Sequence, residues 1–518
     1  MCTPGRSLPA LLALLAAGPA AAAAAGPPAP GASGPMLVET AEGARLLYEG
    51  RAHLHALRLD AADSAFVRLD ALEAESPAGA YHRATAALWR AMLEEREPFL
   101  RRHDEAADAL EARAQALPEG GPEGVWRSFF EGEAALQRAI LAGRQERYLP
   151  AATSFRRACG RYRDALRADP AFEEAYLGAG ICHVAAGQIP RKYRWIARLL
   201  GFTGTVAEGT AELDRAAEHA AFVGETAAVA RAILRAIYED DDEAAIAADA
   251  AALRAGHPDS PMAAYVAGFL LLRARRAEAA EAALATATAM QAAAGATAVP
   301  PVAALHGFAL FRLERYDEAA ARLEHFLATF RGKSFVAQAR LTLGLAHEMR
   351  GDRAAAEAAY RRVRAERDYD NDLAAAREAR RRLQHPMDDR DRALVRGQNL
   401  FDAGRYRDAV AAVQPLFGDA AASEGQRAEA AYRSGRAFQA QQAWAEAARH
   451  SRIAADSPGD ADARWGPWSR FHLGEVLAAQ GDREGARRAF RAVLADEHEF
   501  DFHQALEQRA RAALERLG

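Results

Sequence analysis

The sequence predicts an all-α solenoid of about eleven helix–turn–helix repeats. Three observations predict it. The chain is 50% hydrophobic but only 8% aromatic, and a composition rich in Ala and Arg with few β-branched runs favours helix. One word recurs: Leu341 to Val363 sets Leu343-Gly344, His347, Gly351-Asp352, Ala356, Tyr360 and Val363 at the spacing of a helix, a tight turn and a second helix. The small residues of that word stand where two antiparallel helices must touch.

Gly344 and Ala356 let the helices approach, while Leu343, Tyr360 and Val363 fill the remaining space. Gly351 ends the first helix, since a left-handed position costs glycine little. A single hairpin cannot bury its own apolar face, so copies must stack. Copies are present: Leu473-Gly474, Gly481-Asp482-Arg483, Ala486, Phe490 and Val493; Gly435, Trp444, Ala447 and Ala454; Gly397, Gly404, Tyr406, Ala409 and Val413; Gly307, Tyr316, Ala319 and Leu323. The pattern resembles the tetratricopeptide repeat (TPR), whose period is about 34 residues. The resemblance implies a right-handed TPR-type superhelix with a concave surface lined by first helices.

Taken in order, the chain opens with Arg6, an apolar run through Leu8, Leu11, Leu12, Leu14 and Leu15, a Gly18-Pro19 break, and small residues Ala21 to Ala25. This reads as a signal peptide over 1–25 and implies export to the periplasm or beyond. An uncleaved anchor would need about 20 apolar residues, more than this interrupted run offers. Gly26 to Pro35 is a Pro/Gly linker. The small residue of the Leu-Gly position then falls at Gly50, Ala84, Gly132, Gly180, Ala232, Gly268, Gly307, Gly344, Gly397, Gly435 and Gly474. Repeats over 36–290 form an N-terminal set, and Gln291 to Pro301 separates them from a C-terminal set over 300–518. Within the first set, Pro118 to Gly124 is a turn-rich break, and the acidic run Glu239 to Glu243 reads as a solvated helix start. Within the second, Leu373 to Leu383 is an extra helix. Phe502 to Leu517 is a closing helix, with Phe502, Leu506, Ala510, Ala513 and Leu517 on one face.

The fourth repeat carries an insertion, 188–203. As a helix it would put Ile189, Tyr193, Ile196, Leu199 and Leu200 on one face and Arg191, Arg194 and Arg198 on another, with Trp195 and Phe202 flanking. Three readings stand: a lid packed on its own superhelix, a docking helix for a partner, and peripheral contact with an anionic membrane surface. With the following G-T-V-A-E-G and A-E-L-D-R-A-A, the stretch is similar to one in uncharacterised bacterial TPR proteins, which brings no activity with it.

Catalytic chemistry has no signature here. H-E-x-x-H, a Walker loop, G-x-S-x-G and metal-binding Cys spacings are all missing from the sequence, so no enzyme, cofactor or metal is expected. His183 and His347 fall at the aromatic position of the repeat and read as core. The net charge of −5 gives no reason to expect nucleic acid. Cys159 and Cys182 flank the turn at Asp169-Pro170 at similar distances; they read either as a disulfide, which export permits, or as two small core residues.

Binding is the expected function. The resemblance implies a partner groove one helical turn either side of the small glycine: Leu341, Leu345 and Glu348; Leu394, Gln398 and Phe401; Tyr432, Arg436 and Gln439; Phe471 and Glu475. That mixture suits a protein or peptide partner. The expected role is a non-enzymatic scaffold in the bacterial cell envelope. The alternative is a carrier or accessory protein for an envelope polysaccharide or lipid-linked substrate. Rings clustered in the groove would favour the carrier, and a backbone-reading polar strip the scaffold.

Overall fold

The computed structural model describes residues 38, 40–189, 201–238, 242–293, 299–367, 369–457, 464–496 and 500–518. The signal peptide and linker expected over 1–35 lie outside these residues. The helices run in pairs: α1 Ala41–His55 with α2 Leu59–Leu72, α3 Ala78–Glu94 with α4 Glu97–Ala116, α5 Gly121–Arg144 with α6 Tyr148–Ala168, α7 Ala175–Gly187 with α8 Val206–His219, α9 Gly224–Tyr238 with α10 Glu243–Gly256, and α11 Pro261–Arg273 with α12 Ala277–Ala293. There follow α13 Pro300–Arg312 with α14 Tyr316–Thr329, α15 Val336–Met349 with α16 Arg353–Tyr360, a single α17 Asp370–Gln384, α18 Asp389–Asp402 with α19 Tyr406–Val413, α20 Glu424–Ala440 with α21 Trp444–Ala455, α22 Trp465–Ala479 with α23 Arg483–Leu494, and a closing α24 His503–Arg516. Each small residue from Gly50 to Gly474 lies on the first helix of a pair.

Close approach explains the glycines. A Cβ on Gly344 would sit 2.3 Å from the Tyr360 ring, and one on Gly474 would sit 2.5 Å from Phe490. The turn dipeptide does two jobs. Gly351 takes φ +82° to leave α15, and Asp352 accepts from the Ala355 N–H at 3.0 Å to start α16. Gly481 and Asp482 repeat this, with φ +85° and a 2.8 Å cap to Gly485 N–H. Pro122 lies in the first turn of α5, so the expected break at 118–124 is shorter than read: Pro fits a helix start as well as a turn.

First helices touch first helices, so they form an inner layer, with the second helices outside. The inner layer also closes on itself: α1 touches α11, α3 touches α13, and α13 touches α18. Among the described residues of the first half, the inner helices pack closely on one another. Buried apolar side chains from Leu46 to Ala359 make one continuous core, and Tyr81, Trp126, Phe129 and Phe130 converge on Phe222 with ring centroids 4.9–6.2 Å away. From Leu310 onward smaller clusters stand beside it, and they make up the core of the C-terminal repeats.

Two polar nodes bolt successive turns together. At the first, Glu95, left-handed at φ 51°, accepts from Lys333 N–H at 2.8 Å, Ser334 N–H at 3.2 Å and Arg367 Nη2 at 2.8 Å, and also from Arg144. Burial would raise its carboxyl, but Arg144 and Arg367 more than offset that and hold it at about 2. At the second node, Glu243 accepts from both Arg275 and Tyr406. Gly404, at φ +78°, lets its backbone lie against the Arg275 carbonyl. The acidic run is therefore not simply solvated. Asp242 caps α10 through Ala245 N–H at 3.0 Å, Glu243 joins two turns, and 239–241 lie outside the described residues.

Candidate functional site

In the C-terminal set the candidate face lies on α18, α20 and α22. On these helices the positions one and four residues after each small glycine share a face. The structure brings six side chains together there, in a hydrogen-bonded pair and a hydrogen-bonded set of four. Gln398 bonds Arg433. Arg436 Nη1 lies 2.8 Å from His472 Nε2, His472 Nδ1 lies 2.7 Å from Glu475 Oε2, and Gln439 Nε2 donates to the same oxygen at 3.0 Å. A guanidinium can only donate, so His472 Nε2 accepts and its Nδ1–H donates to Glu475. Phe401 backs this set: the Arg436 guanidinium lies 5.6 Å from its ring and that of Arg275 4.8 Å. Tyr432 stands at one end, 4.9 Å from Trp465.

Two buried atoms of the set have no partner among the described residues: Arg436 Nε and Gln439 Oε1. One is a donor, the other an acceptor. Leaving such a group unpaired costs about 1–3 kcal/mol, and both atoms lie buried behind the face rather than exposed on it.

Several expected groove residues are elsewhere. Glu348 is 2% exposed and accepts from Arg353 Nη1, Tyr360 OH and Met387 N–H, each at 2.8 Å. It is a bolt between α15, α16 and the start of α18, and burial beside it pushes the Tyr360 hydroxyl up. Phe471 is buried against Phe490 and Trp468, and Leu394 is buried with Val413. Leu341 and Leu345 are half-buried and pack with the Tyr360 cluster. Phe401 is buried too, so it supports the strip from behind. The position three residues before each glycine is thus turned into the helix interface, except at Tyr432. The sequence reading missed Arg433 and His472, two residues before their glycines. Each is i,i+3 from a chosen residue and so shares its face.

Of the insertion residues, Arg191, Tyr193, Arg194, Trp195 and Arg198 lie outside the described residues. Phe202 stacks on Phe155 at 5.9 Å. Cys159 and Cys182 are bridged, Cα–Cα 5.8 Å, tying α6 to α7. His183 is not core: it is half-exposed and pairs with Glu212 at 2.7 Å, which raises its pKa. His347 is mostly buried, with Glu324 3.9 Å away. Among the described residues no group of three or more His, Cys, Asp or Glu is placed to hold a metal ion, and no helix is long and apolar enough to cross a membrane.

The chain is an α-helical repeat protein built of helix–turn–helix pairs. No family model matches its sequence, and no curated protein matches it. Solved structures of the same general kind are similar at low identity. They include yeast Tom70, with TM-score 0.32, 10% identity and coverage of 90% of this chain and 88% of that one. The APC/C hetero-tetramer Cut9-Hcn1 gives TM-score 0.24 at 11% identity, covering 92% and 96%. The TPR domain of P58(IPK) gives 0.20 at 14%, covering 92% and 99%. The architecture described above rests on the helix pairing of this chain, not on those superpositions.

Proposed function

We propose that the chain is a non-catalytic scaffold that binds an extended peptide of a protein partner along α18, α20 and α22. The observation that carries this is the row of polar side chains that α18, α20 and α22 bring to one face, with Gln398, Arg436, Gln439 and Glu475 partly exposed. Arg436 and Gln439 are partly exposed and carry the donor and acceptor groups that a peptide carbonyl and a peptide N–H complement. The surrounding side chains are already paired among themselves, so the strip is ordered before a ligand arrives. A carrier for sugars would want exposed rings. Phe401 and Phe471 are buried instead, and the partly exposed Tyr432 and Trp465 stand at one end rather than along the strip, which favours the scaffold over the carrier. Export by residues 1–25, and work in the bacterial envelope, belong to the same proposal.

The experiment is a selection of phage-displayed random peptides on the full chain, followed by titration of the selected peptide. Arg436→Ala and Gln439→Ala should each weaken it by about five- to ten-fold, the effect of one hydrogen bond to a charged or buried group. If both variants bind as the parent does, the strip is not the site. Fusing residues 1–35 to a periplasm-dependent reporter tests export separately.

A further inference from the structure

Cys159 and Cys182 do more than tie α6 to α7: their bridge lines a pocket of about 170 Å³. Three pieces of chain enclose it. They are α6, α7 and the segment from Gly201 that leads into α8. That segment is fastened at three points. Arg163 Nη2 donates to the Gly201 carbonyl at 2.9 Å. The Phe202 ring stacks on Phe155. Gly204, at φ +118°, passes so close to His183 that a Cβ there would sit 2.5 Å from the imidazole.

The lining divides by chemistry. The bridge, Leu166, Ala179 and Phe202 are apolar, while Arg163, Arg167 and His183 are basic. Arg163 is the informative one. It is half-buried and has no carboxylate partner among the described residues, its hydrogen bond going to a neutral carbonyl. The sequence from 189 to 206 contains no Asp or Glu, so that stretch has none to offer. The half-buried Arg138 and Arg144, by contrast, each meet a carboxylate. A guanidinium drawn out of water without a counter-ion loses hydration that nothing returns. The acids close by are engaged. Glu212 is held by His183 at 2.7 Å, Glu208 by the Thr205 hydroxyl at 3.0 Å, and Asp164 by Arg167 at 3.4 Å. The bond to Glu212 raises the His183 pKa, and His183 Nε2 has no hydrogen-bond partner among the described residues.

We propose that this pocket binds a small carboxylate with a compact apolar body, the carboxylate meeting Arg163 and the body lying against Phe202, Leu166 and the disulfide. A cavity of about 150 Å³ lined by apolar side chains holds benzene, so the volume here suits a body of ring size. An anion without such a body would leave the apolar lining wet, and an apolar body without the charge would leave Arg163 unanswered. The pocket lies between α6 and α7, on a different part of the chain from α18, α20 and α22. Its test therefore stands or falls independently of the peptide reading above.

The probes are benzoate, its neutral counterpart benzamide, and acetate, which has the charge without the ring. Each is titrated into the full chain by isothermal titration calorimetry. Benzoate should bind about ten-fold tighter than benzamide, the worth of one hydrogen bond to a charged group, and tighter than acetate as well. Arg163→Gln keeps a donor for the Gly201 carbonyl and removes the charge. It should weaken benzoate by about ten-fold and leave benzamide unchanged. Ala179→Leu fills the pocket without touching its charge and should weaken both. Benzoate bound no better than benzamide or acetate, no benzoate binding at millimolar concentration, or equal benzoate binding by the parent and Arg163→Gln each overturns the proposal. The three ligands on the parent decide it without any variant, so a folding defect in Arg163→Gln does not shelter it.

Discussion

Glu95 offers the sharpest test of how the turns are held. The perturbation is Glu95→Gln. The carboxyl, 10% exposed as a side chain, faces Arg144 and Arg367 and is held at about 2 against an ordinary value of 4.5. That difference is worth about 3 kcal/mol of folded-state preference for the charged form. The folded pKa lies below the unfolded one. The contribution is therefore full above about pH 5 and is lost as pH falls from 4.5 through 2. The assay is urea denaturation followed by circular dichroism at a series of pH values. At neutral pH the variant should be less stable than the parent by about 3 kcal/mol, within the range seen when one partner of a buried pair is removed. That gap should shrink steadily in acid and nearly close at the lowest pH. A gap that is absent at neutral pH, or one that does not change with pH, refutes the reasoning.

Other outcomes follow from the same geometry. Glu133 is buried, and although Tyr162 OH donates to it at 2.7 Å, burial lifts its carboxyl to about 7. A raised acid costs stability as pH climbs from about 4.5 to 7, so Glu133→Gln should match the parent in acid and exceed it by about 3 kcal/mol above neutrality, read from the same urea titrations. Gly344→Ala should lower stability by about 1–3 kcal/mol, because the new methyl would meet the Tyr360 ring, as a thermal melt would register. Reducing the Cys159–Cys182 bridge, which spans 23 positions of sequence, should cost about 3 kcal/mol by loop entropy, seen as a lower melting temperature for Cys159→Ser and no further change on adding reductant to it.

Local structure was legible in the sequence because it depends on short-range rules. Gly344 against Tyr360 and Gly474 against Phe490 are contacts within one hairpin, so a repeated word betrays them. The insertion at Gly187 was visible for the same reason, since α8 restarts at Val206 behind the Thr205–Glu208 capping box. Contacts between turns were not visible. Glu95 meets Ser334 from 239 positions away, and Tyr406 meets Glu243 from 163, separations that no periodicity encodes. The site was half legible. Arg436, Gln439 and Glu475 follow from their offset of one or four after the glycine, whereas Glu348 obeys the same offset and is buried, and Phe471, three before its glycine, is buried as well. The difference lies in what each side chain meets: Glu348 reaches α16 and Met387 before α18, and Phe471 meets Phe490 on the next helix.

Binding along α18, α20 and α22 requires that their shared face be open in solution. The measurement that addresses it most directly is hydrogen exchange on the full chain with and without a peptide selected against it. Added protection should appear in residues 398–401, 433–439 and 472–475, and the inner helices of the first half should stay unchanged. Protection confined to the outer helices, or to α3, α5 and α7, would contradict it.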